Sequence, residues 1–313
     1  MATTAPAWAE ITLKIGWTTS DGAEDPYAIT ARQFAQALEE LAPGEFEVQY
    51  FPNRQLGDEK EMLEGLSFGT LEMGIITNAV IANIDPAFQL NDMPFLFTSE
   101  AQAHEVLDGP VGQQLLARLA DHGIVGLGFA EGGFRHMINN VRPVSVPADV
   151  EGVKYRVMQN PVYVEMFGAL GGNAVPMAWG EVFTAVQQGT IDGLEIPVPV
   201  IANNQYAEVT HYLSLTRHTY SALGVLMSQQ TYDGLTAEQQ AAVQEAAHLA
   251  ITREREINAT NIETLLGQLQ AAGMEVNEIE DPAAFRGLVT GVYEMFREEI
   301  GSDLLDQALA AVQ

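Results

Sequence analysis

Cysteine is absent from the 313-residue chain. That removes a disulfide framework, a thiolate metal site and a cysteine nucleophile together. Basic residues are scarce: 14 Lys+Arg, of which only Lys14, Lys60 and Lys154 are lysines, face 42 Asp+Glu, for a net charge of −28. A field of that sign repels polyanions, so nucleic acid is excluded as a partner. The same balance fits a marine or halophilic protein, because high salt screens self-repulsion; an acidic mesophile is the alternative. No apolar run approaches the roughly 20 residues that cross a bilayer, so no spanning helix is expected. Also missing are a Gly-x-Ser-x-Gly elbow, a P-loop and a His-Glu-x-x-His pair, the usual marks of hydrolases, nucleotide enzymes and zinc proteases.

The chain does hold enough apolar material, 47% of its residues, for two cores of ordinary domain size. Met1 to Ala9 are small and apolar and end in Ala7-Trp8-Ala9 before Glu10, an A-x-A pattern that reads as the remnant of a secretory signal. From there the periodicity predicts strand, helix, strand, helix, strand over 11–17, 26–41, 46–51, 58–68 and 71–76. The same order returns over 153–158, 161–170, 173–176, 179–188 and 191–194, with a proline again opening the first helix. Gly69-Thr70-Leu71-Glu72 leaves the second helix of the first unit, and Gly189-Thr190-Ile191-Asp192 leaves its counterpart.

Two similar units built this way imply an α/β chain of two domains, each with a parallel sheet under right-handed crossovers. Ligands of such sheets sit beyond the carboxyl ends of the strands, so facing sheets place a cleft between the domains. A long Ala- and Glu-rich helix from Ala237 to about Gly273 is expected to brace both. The expected partition is 10–133 with about 221–260, and 134–220 with about 261–313.

Arg156 lies near the end of the predicted strand Val153–Met158, where a guanidinium could clamp a carboxylate with two parallel hydrogen bonds, or pair at the surface with one of the many acids. Arg135, after Gly132-Gly133, is a second candidate on the same terms. Trp179 opens a helix at a strand end and could lie on a ligand or pack in the core. Thr77-Asn78 and Trp17-Thr18-Thr19-Ser20 end first-unit strands, as neutral hydrogen-bonding groups or as turn residues. Gly126-Leu127-Gly128 through Gly132-Gly133 superficially suggests a dinucleotide loop, but its spacing is wrong. His104, His122, His136, His211, His218 and His248 show no metal-ligand spacing, and neither metal nor cofactor is expected.

Several stretches resemble the solute-binding proteins of tripartite ATP-independent periplasmic (TRAP) transporters. They are Phe51-Pro52-Asn53-Arg54-Gln55-Leu56-Gly57, Leu90-Asn91-Asp92-Met93-Pro94-Phe95-Leu96-Phe97, Gly133-Phe134-Arg135-His136, Gly152 to Pro161, and Pro176 to Gly189 with Asp192-Gly193-Leu194-Glu195. The resemblance implies a periplasmic receptor of a Gram-negative bacterium, a monomer that closes on a small organic anion and hands it to integral membrane subunits. A sugar acid or hydroxy acid leads, followed by a C4-dicarboxylate or a small sulfonate; a ligand-sensing receptor is the rival reading and an enzyme is not expected.

It further implies that Arg156 binds the carboxylate, that Arg135 assists, and that Trp179, Thr77, Asn78, Trp17, Thr18, Met158, Asn160 and Glu195 surround the ligand. One departure stands out: the family motif Asp-Gly-Gln-Glu-Asn reads Asp192-Gly193-Leu194-Glu195-Ile196 here, and Ile196 cannot donate a hydrogen bond. Either Asn160 or Gln159 replaces that donor, or the anionic group is held differently.

Overall fold

Asp25 accepts a hydrogen bond from the Tyr27 amide and so caps the first helix, which Pro26 opens. Glu61 caps the second, its Oε2 accepting from the Asp58 amide at 2.6 Å. These local signals account for the close agreement of element bounds with the sequence reading. A computed structural model describes residues 11–312; the expected signal remnant Met1–Ala9 lies outside them.

The first unit runs β1 Ile11–Gly16, α1 Pro26–Leu41, β2 Phe46–Phe51, α2 Glu59–Phe68, β3 Met73–Thr77 and a short α3 Asn78–Ile81. Helices α4 Glu100–Asp108 and α5 Pro110–Arg118 lead into β4 Ile124–Asn139. The second unit then runs β5 Lys154–Val157, α6 Pro161–Ala169, β6 Asn173–Pro176, α7 Trp179–Gln187, β7 Gly193–Pro197 and α8 Val198–Asn203. After it come β8 Tyr212–Ser228, α9 Gln229–Asp233, α10 Ala237–Ala271, β9 Glu275–Glu278, α11 Pro282–Ile300 and α12 Ser302–Ala311.

The repeat seen in the sequence is a repeat in space. Strand order is β2-β1-β3 in one unit and β6-β5-β7 in the other, all parallel within each unit. Glu72 accepts the Lys14 amide at 3.2 Å, and Asp192 accepts the Lys154 amide at 2.8 Å. The motif glycines Gly69 and Gly189 both take the left-handed backbone, φ 73° and 68°, which a Cβ would strain.

The expectation of two separate sheets is corrected. The long strands β4 and β8 pair antiparallel with each other and bond to β7 and β3, so hydrogen bonding runs through one nine-stranded sheet. Their length makes this possible, 16 and 17 residues, enough to serve both units. The glycine-rich stretch once suggestive of a nucleotide loop is β4 itself, with register shifts at Gly126/Gly128 and Glu131/Gly133. Helix α10 is 35 residues long and packs along α1 while also touching β4 and α8, which makes it a brace as its pattern implied. No helix among the described residues is long and apolar enough to span a membrane.

Candidate functional site

The carboxyl ends of β1 and β3 on one side, and of β5 and β7 on the other, converge on a cavity of about 360 Å3 including its mouth. The first unit lines it with Thr18, Thr19, Tyr27, Glu59 and Thr77; the second with Arg156, Met158, Trp179, Ile196, Pro197 and Val200; Arg135 and Ser221 come from the crossing strands. A neighbouring groove shares Glu59, Arg156, Met158 and Trp179 and reaches outward past Lys60 and Gln159.

Arg156 is 2% exposed, yet among the described residues no carboxylate pairs with it. Its Nε and Nη2 donate to the Met177 carbonyl at 2.9 and 2.7 Å, and Nη1 reaches only the weak acceptor Met158 Sδ at 3.4 Å. A guanidinium carries five N–H groups, so two remain without a protein acceptor beside the cavity. Burial pulls its pKa down, an effect that the more distant Glu195 opposes. The Trp179 ring lies 6.0 Å from the guanidinium carbon and itself rests on Tyr206 at 5.5 Å. A buried guanidinium without a counter-ion is energetically costly, which makes Arg156 a candidate anion-binding group.

Arg135 is in the opposite condition. Its Nε and Nη2 engage the Glu195 carboxylate, Nη2 at 2.9 Å from Oε1, and Nη2 also donates to the Glu195 carbonyl at 2.6 Å. Burial alone would raise the Glu195 pKa, but Arg135 and His218, the latter at 3.3 Å, hold it below the ordinary carboxylate range. This pair is neutral overall, and of the two Nη1 hydrogens that remain, one goes to Ser221 Oγ at 3.3 Å.

Glu59 takes both the Thr77 amide at 2.8 Å and the Thr77 hydroxyl at 2.6 Å on Oε1, and Tyr27 Oη lies 2.7 Å from that hydroxyl. Its Oε2 makes no hydrogen bond to the described residues. Burial raises the Glu59 pKa against the pull of those bonds and of the two arginines.

Direct hydrogen bonds join the units around the cavity. Asn204 Oδ1 accepts from the Ser20 amide at 3.0 Å and its Nδ2 donates to Asp25 at 3.2 Å; Asn83 donates to the Gln159 carbonyl at 3.0 Å. Behind them Asp92 accepts from Asn78 of the first unit and Asn160 of the second, both at 2.9 Å. Burial pushes Asp92 up to about 8 and Asp25 up to about 7. An acid raised in the fold stabilises it while protonated, so that contribution is complete below the unfolded pKa and is lost as pH rises through the folded one. Asp92→Asn keeps an acceptor for both amides and cannot ionise. Melting curves are expected to show wild-type stability falling between about pH 4 and 8, and a flatter decline in the variant.

Of the residues expected from sequence, Arg156, Arg135, Trp179, Thr77, Thr18, Met158 and Ile196 line the cavity together. Four do not. Trp17 is fully buried with its ring N–H on the Ser20 carbonyl, Asn78 is spent on Asp92 and the Phe88 carbonyl, and Glu195 stands behind Arg135. Asn160 caps α6 and bonds Asp92, so it does not replace the donor missing at Ile196. Thr19, expected beside Thr18 as a strand-end hydrogen-bonding residue, lines it too; Tyr27, Glu59, Pro197, Val200 and Ser221 escaped the sequence reading. The repeat held a signal for one of them: Glu59 opens α2 as Trp179 opens α7. Among the described residues no cluster of three or more His, Asp or Glu is placed to hold a metal.

Comparison with known proteins gives consistent results. A solute-binding protein of Verminephrobacter eiseniae is 38% identical over 311 residues, 98% of this chain and 91% of that one. A TRAP periplasmic solute-binding protein of Bordetella bronchiseptica, its density interpreted as pantoate, superposes with a TM-score of 0.92 at 38% identity over 96% of this chain and 99% of that one. Another from Polaromonas sp. JS666, bound to D-erythronate, superposes with a TM-score of 0.93 at 34% identity over the same shares. The profile of bacterial extracellular solute-binding proteins, family 7 (DctP), matches residues 18–299. With its repeated α/β units, its inter-unit cavity and these likenesses, the chain belongs to the DctP family of TRAP solute-binding proteins.

Proposed function

We propose that the chain is a periplasmic receptor that captures one small monocarboxylate, a sugar acid or hydroxy acid, and presents it to the membrane subunits of a TRAP transporter. The observation that carries this reading is Arg156: a buried guanidinium held in place by a carbonyl, with two N–H groups and a positive charge left for a ligand. Arg135 is already neutralised by Glu195, so a second carboxylate would find no free cation, which favours a single anionic group over a dicarboxylate. Pantoate and D-erythronate, reported in the two relatives, are both hydroxylated monocarboxylates.

Capture works by closure and release, as a monomer, with no chemical change in the ligand. The units part along β4 and β8 where Gly133 faces Ser221 and Phe134 faces Tyr220, beside a register shift that lets the strands bend; this gives a first body of 10–133 with about 221–260 and a second of 134–220 with about 261–313. The ligand stabilises the closed form only through contacts on both units, and Arg156 facing Glu59 and Thr77 provides them. The acid-rich, lysine-poor surface suits a saline medium.

A melting screen against hydroxy acids, sugar acids, C4-dicarboxylates, sulfonates and neutral sugars tests the reading. Monocarboxylates are expected to raise the transition, by about 2.7 kcal/mol of stabilisation at a hundredfold excess over Kd. A shift with neutral sugars and none with any acid would overturn it.

A further inference from the structure

Away from Arg156, the walls of the cavity differ in chemistry, and three positions of the internal repeat show how. Ile15 pairs with Met73 as Tyr155 pairs with Gly193, so the two units superpose in register. Three residues beyond Ile15 is Thr18; three beyond Tyr155 is Met158. Glu59 and Trp179 each open the second helix of their unit, and Thr77 and Pro197 each end its third strand. At all three positions the first unit presents a polar group and the second an apolar side chain or ring. Ile196 and Val200, 2% and 4% exposed, extend the apolar wall.

We propose that this receptor selects a short hydroxy acid with one alkyl-bearing face, an inference that rests on the cavity being the acid's site. The carboxylate meets Arg156, a hydroxyl meets the free Oε2 of Glu59 and the threonines, and methyl groups lie against Met158, Ile196, Pro197 and Val200. A hydroxyl turned to that second wall is buried without a partner and loses its water hydrogen bonds, whereas a methyl there leaves water at no such cost. An acid hydroxylated on both faces therefore turns a hydroxyl to Met158, Ile196, Pro197 and Val200, whose side chains offer it no hydrogen bond.

Titration calorimetry with 2,4-dihydroxy-3,3-dimethylbutanoate and 2,3,4-trihydroxybutanoate tests this, because the acids share length and carboxylate and differ at the third carbon. The dimethyl acid is expected to bind about tenfold tighter or more. Ile196→Asn should close or invert the gap. Val200→Thr, nearly isosteric and outside β7, should narrow it without endangering the fold. Equal or tighter binding of the trihydroxy acid to the wild type overturns the selectivity and leaves the receptor reading standing. A gap unchanged in both variants, each confirmed folded by its melting curve, removes the apolar wall as the cause and overturns it too. If neither these nor any other acid binds, both readings fall.

Discussion

Arg156→Met is expected to abolish measurable capture of the acid while leaving the ligand-free protein as stable as the wild type or more so. The two effects have one origin. Arg156 is buried with no carboxylate partner, so its charge is a burden in the empty state, visible as the downward pull of burial on its pKa. Methionine fills much of the same volume without that charge. In the complex the ligand's carboxylate becomes the missing counter-ion, and losing a buried, hydrogen-bonded charge partner costs about 2–5 kcal/mol, thirtyfold or more in Kd. Calorimetry and melting curves on the same samples read both sides. A variant that binds like the wild type would end the assignment of Arg156, and one that melts far below it would show that the arginine is structural.

Glu195→Ala should be the most damaging single change near the cavity. It leaves Arg135 buried beside Arg156 with no anion between them and deprives His218 of its acceptor. Breaking one side of a buried pair typically costs about 3–5 kcal/mol, a large fraction of a domain's stability. Urea denaturation is expected to show that loss. Removing both charges, with Glu195→Gln and Arg135→Met together, should recover much of it, since an apolar or neutral replacement of a whole ion pair is close to neutral. If the double variant is as unstable as the single one, geometry and not charge holds this part of the sheet.

The repeat explains how the same tertiary frame yields a directional site. Equivalent positions such as Glu59 and Trp179, or Thr18 and Met158, are brought face to face because each unit contributes the carboxyl ends of its strands. A symmetric pair of walls would offer a ligand the same chemistry twice. Divergence at these positions, with Arg156 on one side only, gives the cavity two unlike walls, and the proposed selectivity rests on that difference. The first unit's counterpart of Arg156 is Gly16, packed under Met62 and Leu56, so no second clamp exists there.

Much of this was legible in the sequence for local reasons. Proline at a first helical turn, aspartate caps and the alternation of strands act over a few residues, and the bounds of α1 and β2 and the start of α10 follow from them. The motif beginning at Gly69 and returning at Gly189 exposed the repeat, and with it the α/β class. Scarcity of arginine made Arg156 and Arg135 conspicuous. Glu59 and Tyr27 were not conspicuous, because one acid among 42 and one tyrosine in an amphipathic helix carry no local mark of a cavity.

The sequence by itself determined the elements, the duplication, the anionic surface and the two arginines that matter, all of which depend on residue type and near-neighbour spacing. Only the tertiary structure decided that β4 and β8 merge two sheets into one, that Glu195 neutralises Arg135 while Arg156 stays unpaired, and that Asn160 is committed to Asp92. Those outcomes depend on pairings between residues far apart in the chain. Such pairings are set by which charges and backbone groups lose water together, and that is fixed only when the units pack.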